Sequence, residues 1–307
     1  MHEALRDWYL PGYERDNRWN PGYERDGDLS EHIRRIADRD FMACASSLTD
    51  AQVDQAAKSK NLAIALARAY QQYYKNDNQL DIIATEVPLE FVIRDGAGWR
   101  DAFRIVHRLK PDAVFRTGPR TVMLLESKTA ASVKVEHLVI DDQARPYGAM
   151  AERALKNAGV INEDDRLVGI RYNYIRKAMP DEREMNANGE SLNKDGSVSA
   201  RQPTPLFRRY DVPLTNAAKL ITLHRVERES IALAEATVAV RNRWKTLDTL
   251  RKTPHWSCPR VCQYFEMCAA HENGADIRGM ERDLYRVQDP YEYAEDTTDV
   301  PRSFEMG

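Results

Sequence analysis

The stretch that most constrains the fold of this 307-residue chain is Lys110–Lys128, KPDAVFRTGPRTVMLLESK. Two runs of apolar and β-branched residues flank the turn sequence Thr117–Arg120, so we predict a β-hairpin. Asp112 opens the first strand, and the second strand ends in Glu126-Ser127-Lys128. Because side chains alternate between the two faces of a strand, Glu126 and Lys128 lie on one face. Strand pairing then brings Asp112 close to the end of the second strand.

Two carboxylates and one ammonium group at a sheet edge suit the hydrolysis of a phosphodiester bond. Carboxylates can hold Mg²⁺ or Mn²⁺, which generates a hydroxide near neutral pH and offsets charge on the phosphorus. A lysine beside the metal can orient the attacking water or neutralise developing charge. A Glu-x-Lys tripeptide alone is a weak signal and occurs by chance in a chain rich in both residues.

Composition sets outer bounds on the function. The chain is 42% hydrophobic and 30% charged, which allows a substantial core with solvated faces and either one large or two small domains. The net charge of −3 is no global signature of nucleic-acid binding, although a locally basic cleft remains compatible with it. No apolar run approaches the roughly 20 residues of a membrane span, and the first ten residues lack a signal-peptide pattern. We therefore expect a cytoplasmic protein.

Four cysteines form the second informative pattern. Cys258, Cys262 and Cys268 are clustered, whereas Cys44 lies far upstream. In a reducing compartment such clustering indicates metal ligands rather than disulfides. A Zn²⁺ site and a [4Fe–4S] cluster both accept four thiolates, so the residues alone leave both open. A shared metal would close a loop of more than two hundred residues and stabilise the folded state.

The hairpin motifs resemble the signature of the PD-(D/E)XK nucleases, carried here by Pro111-Asp112 and Glu126-Ser127-Lys128. Glu86, in a Glu-x-Pro context, is similar to an auxiliary acidic residue of the RecB-like branch. Gln143 and Tyr147, four residues apart, resemble the Gln-x-x-x-Tyr pair that this branch carries on the following helix. The resemblance implies that Asp112, Glu126 and Glu86 bind Mg²⁺ or Mn²⁺, that Lys128 positions water, and that Gln143 and Tyr147 orient substrate.

One cysteine before the nuclease motifs and three after them is the order found in iron–sulfur RecB-like nucleases, including CRISPR-associated exonucleases and the AddB nuclease domain. This resemblance favours a [4Fe–4S] cluster, with Zn²⁺ as the alternative, held by Cys44, Cys258, Cys262 and Cys268. The chain departs from that pattern with three residues between Cys258 and Cys262. It also lacks a histidine on the helix Lys60–Tyr74, where RecB-like nucleases usually carry a metal ligand.

Several further elements follow from periodicity and capping signals. We predict a helix beginning near Ser30 as N-cap, a helix over Asp50–Tyr74 capped by Thr49, and a helix over 215–252. Glu86 interrupts an otherwise apolar strand, and Arg166–Ala178 alternates as another strand. Residues 96–109 form either a basic helix or a strand that leads to Asp112.

The sequence thus predicts an α/β protein with a restriction-endonuclease-like mixed sheet flanked by helices, its N- and C-terminal segments joined by a Cys₄ metal cluster. We expect an arm over 1–30 with a repeated PGYERD, a RecB-like nuclease domain over 31–274 with a mobile insertion at about 180–205, and an acidic tail over 275–307. The expected function is a DNA exonuclease of recombination, repair or replication, with phage members of the group closest in sequence. The alternative is a catalytically weak DNA-binding scaffold. Assembly as a homo-oligomer or with a recombination protein is compatible with either.

Overall fold

A computed structural model of the chain describes residues 2–9, 28–74, 80–93, 105–140, 144–184, 186, 190–244 and 258–285. The chain divides into two compact units, Met1–Ser230 and Ile231–Gly307, and the boundary falls inside a long helix. The predicted boundaries near residues 30 and 274 stay predictions. The PGYERD repeat and residues 286–307 of the acidic tail lie outside the described residues.

The first unit contains helices at its beginning and a mixed α/β arrangement after them. Its elements in chain order are α1 (His2–Tyr9), α2 (Leu29–Cys44), α3 (Asp50–Tyr73), β1 (Asp81–Thr85), β2 (Leu89–Ile93), β3 (Ile105–Leu109), β4 (Ala113–Gly118), β5 (Thr121–Ala130), α4 (Ala144–Asn157), β6 (Arg166–Arg176), β7 (Phe207–Pro213) and the start of α5 (Asn216–Arg241). Short 3₁₀ turns cover Ala45–Ser47 and Glu136–Ile140. The predicted strand alternative for residues 96–109 is observed in its described part as β3.

Five strands form one sheet in the order β1-β4-β5-β6-β7, and β2 pairs with β3 separately. The β5–β6 pair is parallel, while the β1–β4, β4–β5 and β6–β7 pairs are antiparallel. A parallel pair needs a crossover, which α4 supplies between β5 and β6. The protein is therefore α/β, with a mixed sheet flanked by helices, as the sequence predicts.

Strand alternation divides the interior into two apolar clusters. Val114, Val122 and Leu124 belong to the cluster that also contains residues of α4, β2 and β3. Phe115 and Leu125, their sequence neighbours, belong to the cluster that contains residues of α1, α2 and α3. The central strand β5 is consequently buried on both faces, which explains its nearly continuous apolar sequence from Val122 to Leu125.

The predicted helix over Asp50–Tyr74 is observed as α3. The Thr49 side chain accepts from Gln52 N, and the Gln52 side chain accepts from Thr49 N, so the two form a capping box. The predicted N-cap of the preceding helix was wrong by two residues. Asp28, not Ser30, caps α2, because its Oδ1 accepts a hydrogen bond from Ser30 N at 2.8 Å. A hydrogen bond from the Ser30 side chain, opposed by burial and supported by the bond from the Ser30 amide, lowers the pKa of Asp28.

The predicted helix over 215–252 is observed over Asn216–Arg241, and residues 245–252 lie outside the described part. The predicted strand over Arg166–Ala178 is observed as β6. Gly169 allows β6 to approach its neighbours closely. A Cβ at this position would lie 2.8 Å from Val212 O and 2.9 Å from Met123 Cε.

Described residues of the predicted insertion at about 180–205 form a small hydrogen-bonded segment. Leu192 and Val198 pair as an antiparallel bridge around Gly196, whose φ is +81°. Hydrogen bonds from Arg183 lower the pKa of Asp181 to about 2. The mobility of this insertion stays a prediction.

The second unit continues α5 and adds α6 (Cys258–Val261), α7 (Phe265–Glu272) and α8 (Arg278–Leu284). Tyr264 and Tyr285 stack with ring centroids 5.3 Å apart. The Tyr285 hydroxyl donates to Gln263 O at 2.8 Å, which joins the end of α8 to the start of α7. Within the described ranges, no helix has the length and apolar character needed to cross a membrane.

Candidate active site

The candidate site is a row of acidic residues across three neighbouring strands. Thr85 at the end of β1 pairs with Ala113, and Ala113 pairs with Leu125 of β5. One position beyond this row of paired residues lie Glu86, which follows β1, Asp112, which precedes β4, and Glu126 of β5. The amide of Glu86 donates to the carbonyl oxygen of Asp112 at 3.0 Å, which continues the β1–β4 pairing into this row.

Asp112 lies against the end of β5, as the hairpin pattern predicts. Its Oδ2 accepts a hydrogen bond of 2.6 Å from the amide of Ser127. Since Ser127 separates Glu126 from Lys128, the bond holds the Asp112 carboxylate beside the Glu-x-Lys tripeptide. A charged acceptor on a backbone amide forms one of the stronger hydrogen bonds in proteins.

Glu126 and Lys128 contact each other on one face of β5. Lys128 Nζ lies 2.7 Å from Glu126 Oε1, and the Glu126 side chain is only 13% exposed. Val122 and Leu124, which precede them on this face, both belong to the apolar cluster on the α4 side. The carboxylate and the ammonium group therefore lie at the edge of a dry core, where their attraction is stronger than in water.

The local structure at Glu86 differs from the prediction that this residue interrupts a strand. Glu86 follows β1 rather than interrupting it, and its φ of +47° places a non-glycine residue in the left-handed region. Such a conformation costs on the order of 1–3 kcal/mol and is concentrated at functional sites. Its Oε2 lies 3.1 Å from Lys110 Nζ, so a lysine that the sequence analysis did not single out contacts the acidic row.

The donor chemistry of this row fits a hard divalent cation. Mg²⁺ is commonly bound through one or two carboxylates, with waters and substrate phosphates completing its shell. Asp112 and Glu126 provide two such carboxylates, each one position beyond the Ala113–Leu125 pair of the β4–β5 hairpin. Over the part of the chain that the structure describes, no group of three or more His, Cys, Asp or Glu side chains is arranged to hold a metal ion.

Of the predicted substrate-orienting pair, Gln143 lies outside the described residues. Tyr147 lies in the first turns of α4 and packs, partly buried, against the apolar cluster on the α4 side. Pro146 is the third residue of α4, within the first helical turn, where a missing backbone N–H is tolerated.

Two tyrosines that the sequence analysis did not single out lie beside the tripeptide. Tyr172 and Tyr174 of β6 pair in register with Glu126 and Lys128. Their rings stack with centroids 6.3 Å apart and planes inclined by 20°. Because side chains alternate along a strand, the segment Tyr172-Asn173-Tyr174 places both tyrosines on one face. Only the parallel pairing of β5 with β6 brings them to the site.

Two histidines of the first unit, His107 and His32, contact side chains other than those of the acidic row. His107 of β3 contacts Ser230 Oγ through Nε2 at 2.7 Å, and burial lowers the pKa of its imidazole. His32 of α2 contacts Arg35 Nη2 through Nδ1 at 2.9 Å. The metal-ligand role that a histidine carries in RecB-like nucleases stays unassigned in this chain.

The cysteines are placed in both units. Cys44 ends α2 in the first unit, and its thiol donates to Asp40 O at 3.2 Å. Cys258 is half-buried at the start of α6, and Cys262 and Cys268 are exposed. Because the described residues contain no three-ligand group, the three downstream thiols are not gathered around one point. A metal cluster at these cysteines stays a prediction.

Comparison with known proteins gives limited similarity. No family model matches the sequence, and no curated protein matches it. Among solved structures, the chain is similar to a “Putative exonuclease” from Eubacterium rectale, with 12% identity and a TM-score of 0.37 over 85% of this chain and 92% of that one. It is also similar to SSO0001, with 15% identity and a TM-score of 0.34 over 80% of this chain and 97% of that one. At these TM-scores neither likeness defines the fold or function of this chain.

Proposed function

We propose that this protein is a metal-dependent nuclease that hydrolyses DNA phosphodiester bonds. One observation carries the proposal: the Asp112 carboxylate accepts a hydrogen bond from the Ser127 amide at 2.6 Å, beside Glu126, whose carboxylate lies 2.7 Å from Lys128 Nζ. The resemblance of the same residues to the PD-(D/E)XK signature supports this reading.

Each residue of the row has a role that follows from its chemistry. Asp112 and Glu126 are the ligands for Mg²⁺ or Mn²⁺, and Glu86 is an additional acidic residue at the end of β1. When bound, the ion supplies a hydroxide near neutral pH and offsets charge on the phosphate. Lys128 orients the attacking water or stabilises negative charge that develops on the phosphoryl oxygens. The Gln143 amide and the Tyr147 hydroxyl orient the nucleotide.

Attack from a DNA end, and a setting in recombination, repair or replication, are the finer parts of the proposal. They follow from the resemblance to RecB-like exonucleases, including phage members. DNA is the expected partner because the reaction requires it, and the phosphate backbone would provide contacts that do not depend on sequence.

A second candidate function is a DNA-binding scaffold without hydrolytic activity. The specific observation in its favour is that two of the three carboxylates contact lysines, Glu126 with Lys128 and Glu86 with Lys110. If these ion pairs persist when metal and DNA are added, the carboxylates are less available as ligands and DNA is bound without being cut.

The test is a cleavage assay on end-labelled linear and closed circular DNA, single- and double-stranded, with Mg²⁺, Mn²⁺ or EDTA. We expect metal-dependent loss of linear substrate, and a decrease in rate of at least about 100-fold for Asp112→Asn and for Lys128→Ala. Lys134→Ala, which removes an exposed lysine from the loop after β5, is the matched control and should retain full activity. Equal rates for Lys128→Ala and the unsubstituted protein would reject the assignment, and binding without product under every ion would favour the scaffold.

We further propose that Cys44, Cys258, Cys262 and Cys268 hold a [4Fe–4S] cluster, with Zn²⁺ as the alternative. Four thiols are a suitable donor set for either. Loading would have to draw the downstream thiols together, since the described residues do not group three ligands. Anaerobic reconstitution should give the broad visible absorption of an iron–sulfur cluster and raise thermal stability, both lost with Cys262→Ser. Stoichiometric zinc without colour would instead assign the alternative.

A further inference from the structure

A buried polar layer lies on the face of the sheet opposite Glu126 and Lys128. We define this layer as Ser127 of β5, Asn173 of β6, Arg209 of β7, Tyr70 of α3 and Tyr9 of α1. Ser127, Asn173, Tyr70 and Tyr9 are all buried. Their surroundings are the apolar cluster that contains residues of α1, α2 and α3. Polar groups this deep in a core are costly unless they are hydrogen-bonded to one another.

Asn173 is the central member of the buried polar layer. Its Nδ2 donates to the Tyr70 hydroxyl at 2.9 Å and to Ser127 Oγ at 3.3 Å. The opposite amide orientation would put Oδ1 between two hydroxyls that can each donate, so either orientation bridges the same two partners. Asn173 also pairs in register with Ser127 on one side and with Arg209 on the other.

The remaining contacts extend the layer to the N-terminal helix. The hydroxyls of Tyr70 and Tyr9 are hydrogen-bonded to each other. Arg209 Nη2 donates to Tyr9 OH at 3.1 Å and to Tyr70 OH at 3.5 Å, and its guanidinium lies 3.9 Å from the ring centroid of Tyr74. Burial, followed by the neighbouring Tyr9, raises the pKa of Tyr70, so its phenol stays protonated at any physiological pH.

Ser127 belongs to both faces of the sheet. Its side chain takes part in the buried polar layer, while its backbone amide donates to Asp112 Oδ2 at 2.6 Å in the acidic row. Rotation of the Ser127 peptide would move both groups together. A restraint on the hydroxyl therefore also restrains the direction in which the amide points at the Asp112 carboxylate.

Asn173 is an expensive choice for a core position. Asparagine is disfavoured in strands, and the Asn173 Oδ1 atom is buried with no hydrogen-bond partner among the described residues. Such an atom costs about 1–3 kcal/mol, which an apolar residue of the same size would avoid. Leucine would avoid that cost but would also remove the hydrogen bonds to Tyr70 and Ser127, so its two effects on stability oppose each other.

We propose that Asn173 is a positioning residue that fixes the Ser127 hydroxyl, and through the Ser127 amide sets the Asp112 carboxylate relative to Glu126. The functional part of this inference rests on the proposed nuclease activity. The mechanical part, a link from Asn173 to the Ser127–Asp112 hydrogen bond, is independent of any activity.

The test compares Asn173→Leu and Ser127→Ala with the control Thr222→Val. Thr222 is a buried threonine of α5 whose Oγ1 donates to Ala218 O at 2.9 Å, so its substitution removes a buried hydrogen bond outside the layer. Three quantities are measured for each protein. They are the melting temperature, the proton shift and hydrogen exchange of the amide at residue 127 by NMR, and the Mn²⁺ concentration that gives half-maximal DNA cleavage.

For Asn173→Leu we expect only a small change in melting temperature, because removal of the unpaired Oδ1 offsets the loss of the hydrogen bonds to Tyr70 and Ser127. We also expect an upfield shift and at least tenfold faster exchange of the Ser127 amide, and at least a fivefold increase in the half-saturating Mn²⁺ concentration. Thr222→Val should change neither the amide nor the Mn²⁺ dependence. If Asn173→Leu does not fold, Ser127→Ala decides, because it removes only one oxygen and should loosen the same amide.

An unchanged amide at residue 127 in the folded variants would overturn the inference, whatever happens to activity. An altered amide with an unaltered Mn²⁺ dependence would overturn its functional part. If the unsubstituted protein cleaves no DNA with any ion, the proposed function fails, and the amide measurements still decide whether Asn173 controls the Ser127–Asp112 bond.

Discussion

Asp165 offers the sharpest test of how the hairpin is anchored to the rest of the sheet. Its carboxylate is 2% exposed and accepts from Arg116 Nη1 at 2.7 Å and Nη2 at 3.2 Å. It also accepts from the amide of Asn162 at 2.9 Å. The Arg116–Asp165 ion pair joins β4 to the loop that precedes β6. Asp165→Asn removes the charge and leaves Arg116 without its two-point partner.

The expected loss of stability lies between two limits. Breaking a fully buried ion pair costs about 3–5 kcal/mol, whereas an exposed pair contributes about 0–1 kcal/mol. Arg116 is 25% exposed, so water can recover part of its hydration after the substitution. We therefore expect a loss of about 2–3 kcal/mol, which corresponds to a decrease of about 4–12 °C in melting temperature for a unit of this size.

The pH dependence has a definite sign. The hydrogen bond from Arg116, opposed by burial, lowers the pKa of Asp165 in the folded protein. The stabilisation is therefore complete above the unfolded value of about 3.9 and is lost as pH falls through the lowered folded value. The difference in melting temperature between the unsubstituted protein and Asp165→Asn should be constant from about pH 5 to pH 8. It should shrink below about pH 4.

Differential scanning calorimetry across this pH range measures both quantities. The matched control is Asp164→Asn, because Asp164 lies 3.8 Å from Arg120 in a pair whose side chains are 73% and 74% exposed. The control should melt within about 2 °C of the unsubstituted protein. Equal melting temperatures for Asp165→Asn and Asp164→Asn, or a gap that widens on acidification, would refute the reasoning.

Three further substitutions test the packing of the first unit, each by urea unfolding. Gly148→Ala should cost about 1–3 kcal/mol, because the new Cβ would lie 2.2 Å from Leu214 Cδ1, and an unchanged midpoint would contradict this. Lys219→Met should cost about 2–3 kcal/mol, since Lys219 Nζ lies 2.5 Å from both Glu152 Oε2 and Leu167 O, and an unchanged midpoint would show that the pair is dispensable. Thr49→Ala should cost about 1 kcal/mol by removing the capping box of α3, and a loss below about 0.3 kcal/mol would argue against it.

The local structure of the hairpin was accessible from the sequence because its causes are local. Period-two alternation determined that Glu126 and Lys128 share a face, and turn chemistry determined where β4 gives way to β5. Capping signals located the start of α3 for the same reason. The predicted N-cap of α2 was two residues too late. Asp28 and Ser30 are both good capping residues, and only the backbone geometry selects between them.

The sequence alone predicts only part of the acidic row. Pairing of β1 with β4 is a long-range contact that no local pattern specifies, so the position of Glu86 beside Asp112 and its left-handed backbone needed the tertiary structure. The contact between Lys110 and Glu86 depends on the same pairing. The arrangement of Gln143 and of the four cysteines as ligands stays at the level of the sequence prediction.

What the sequence alone determined about this protein is the class of fold and the residues that meet within one hairpin, since both depend on periodicities a few residues long. Only the tertiary structure decided which strand lies beside which. It is therefore the tertiary structure that pairs Asn173 with Ser127 and brings Asp165 into contact with Arg116. The physical reason is that register between distant strands is set by the summed burial of both sheet faces, a quantity that no single stretch of sequence contains.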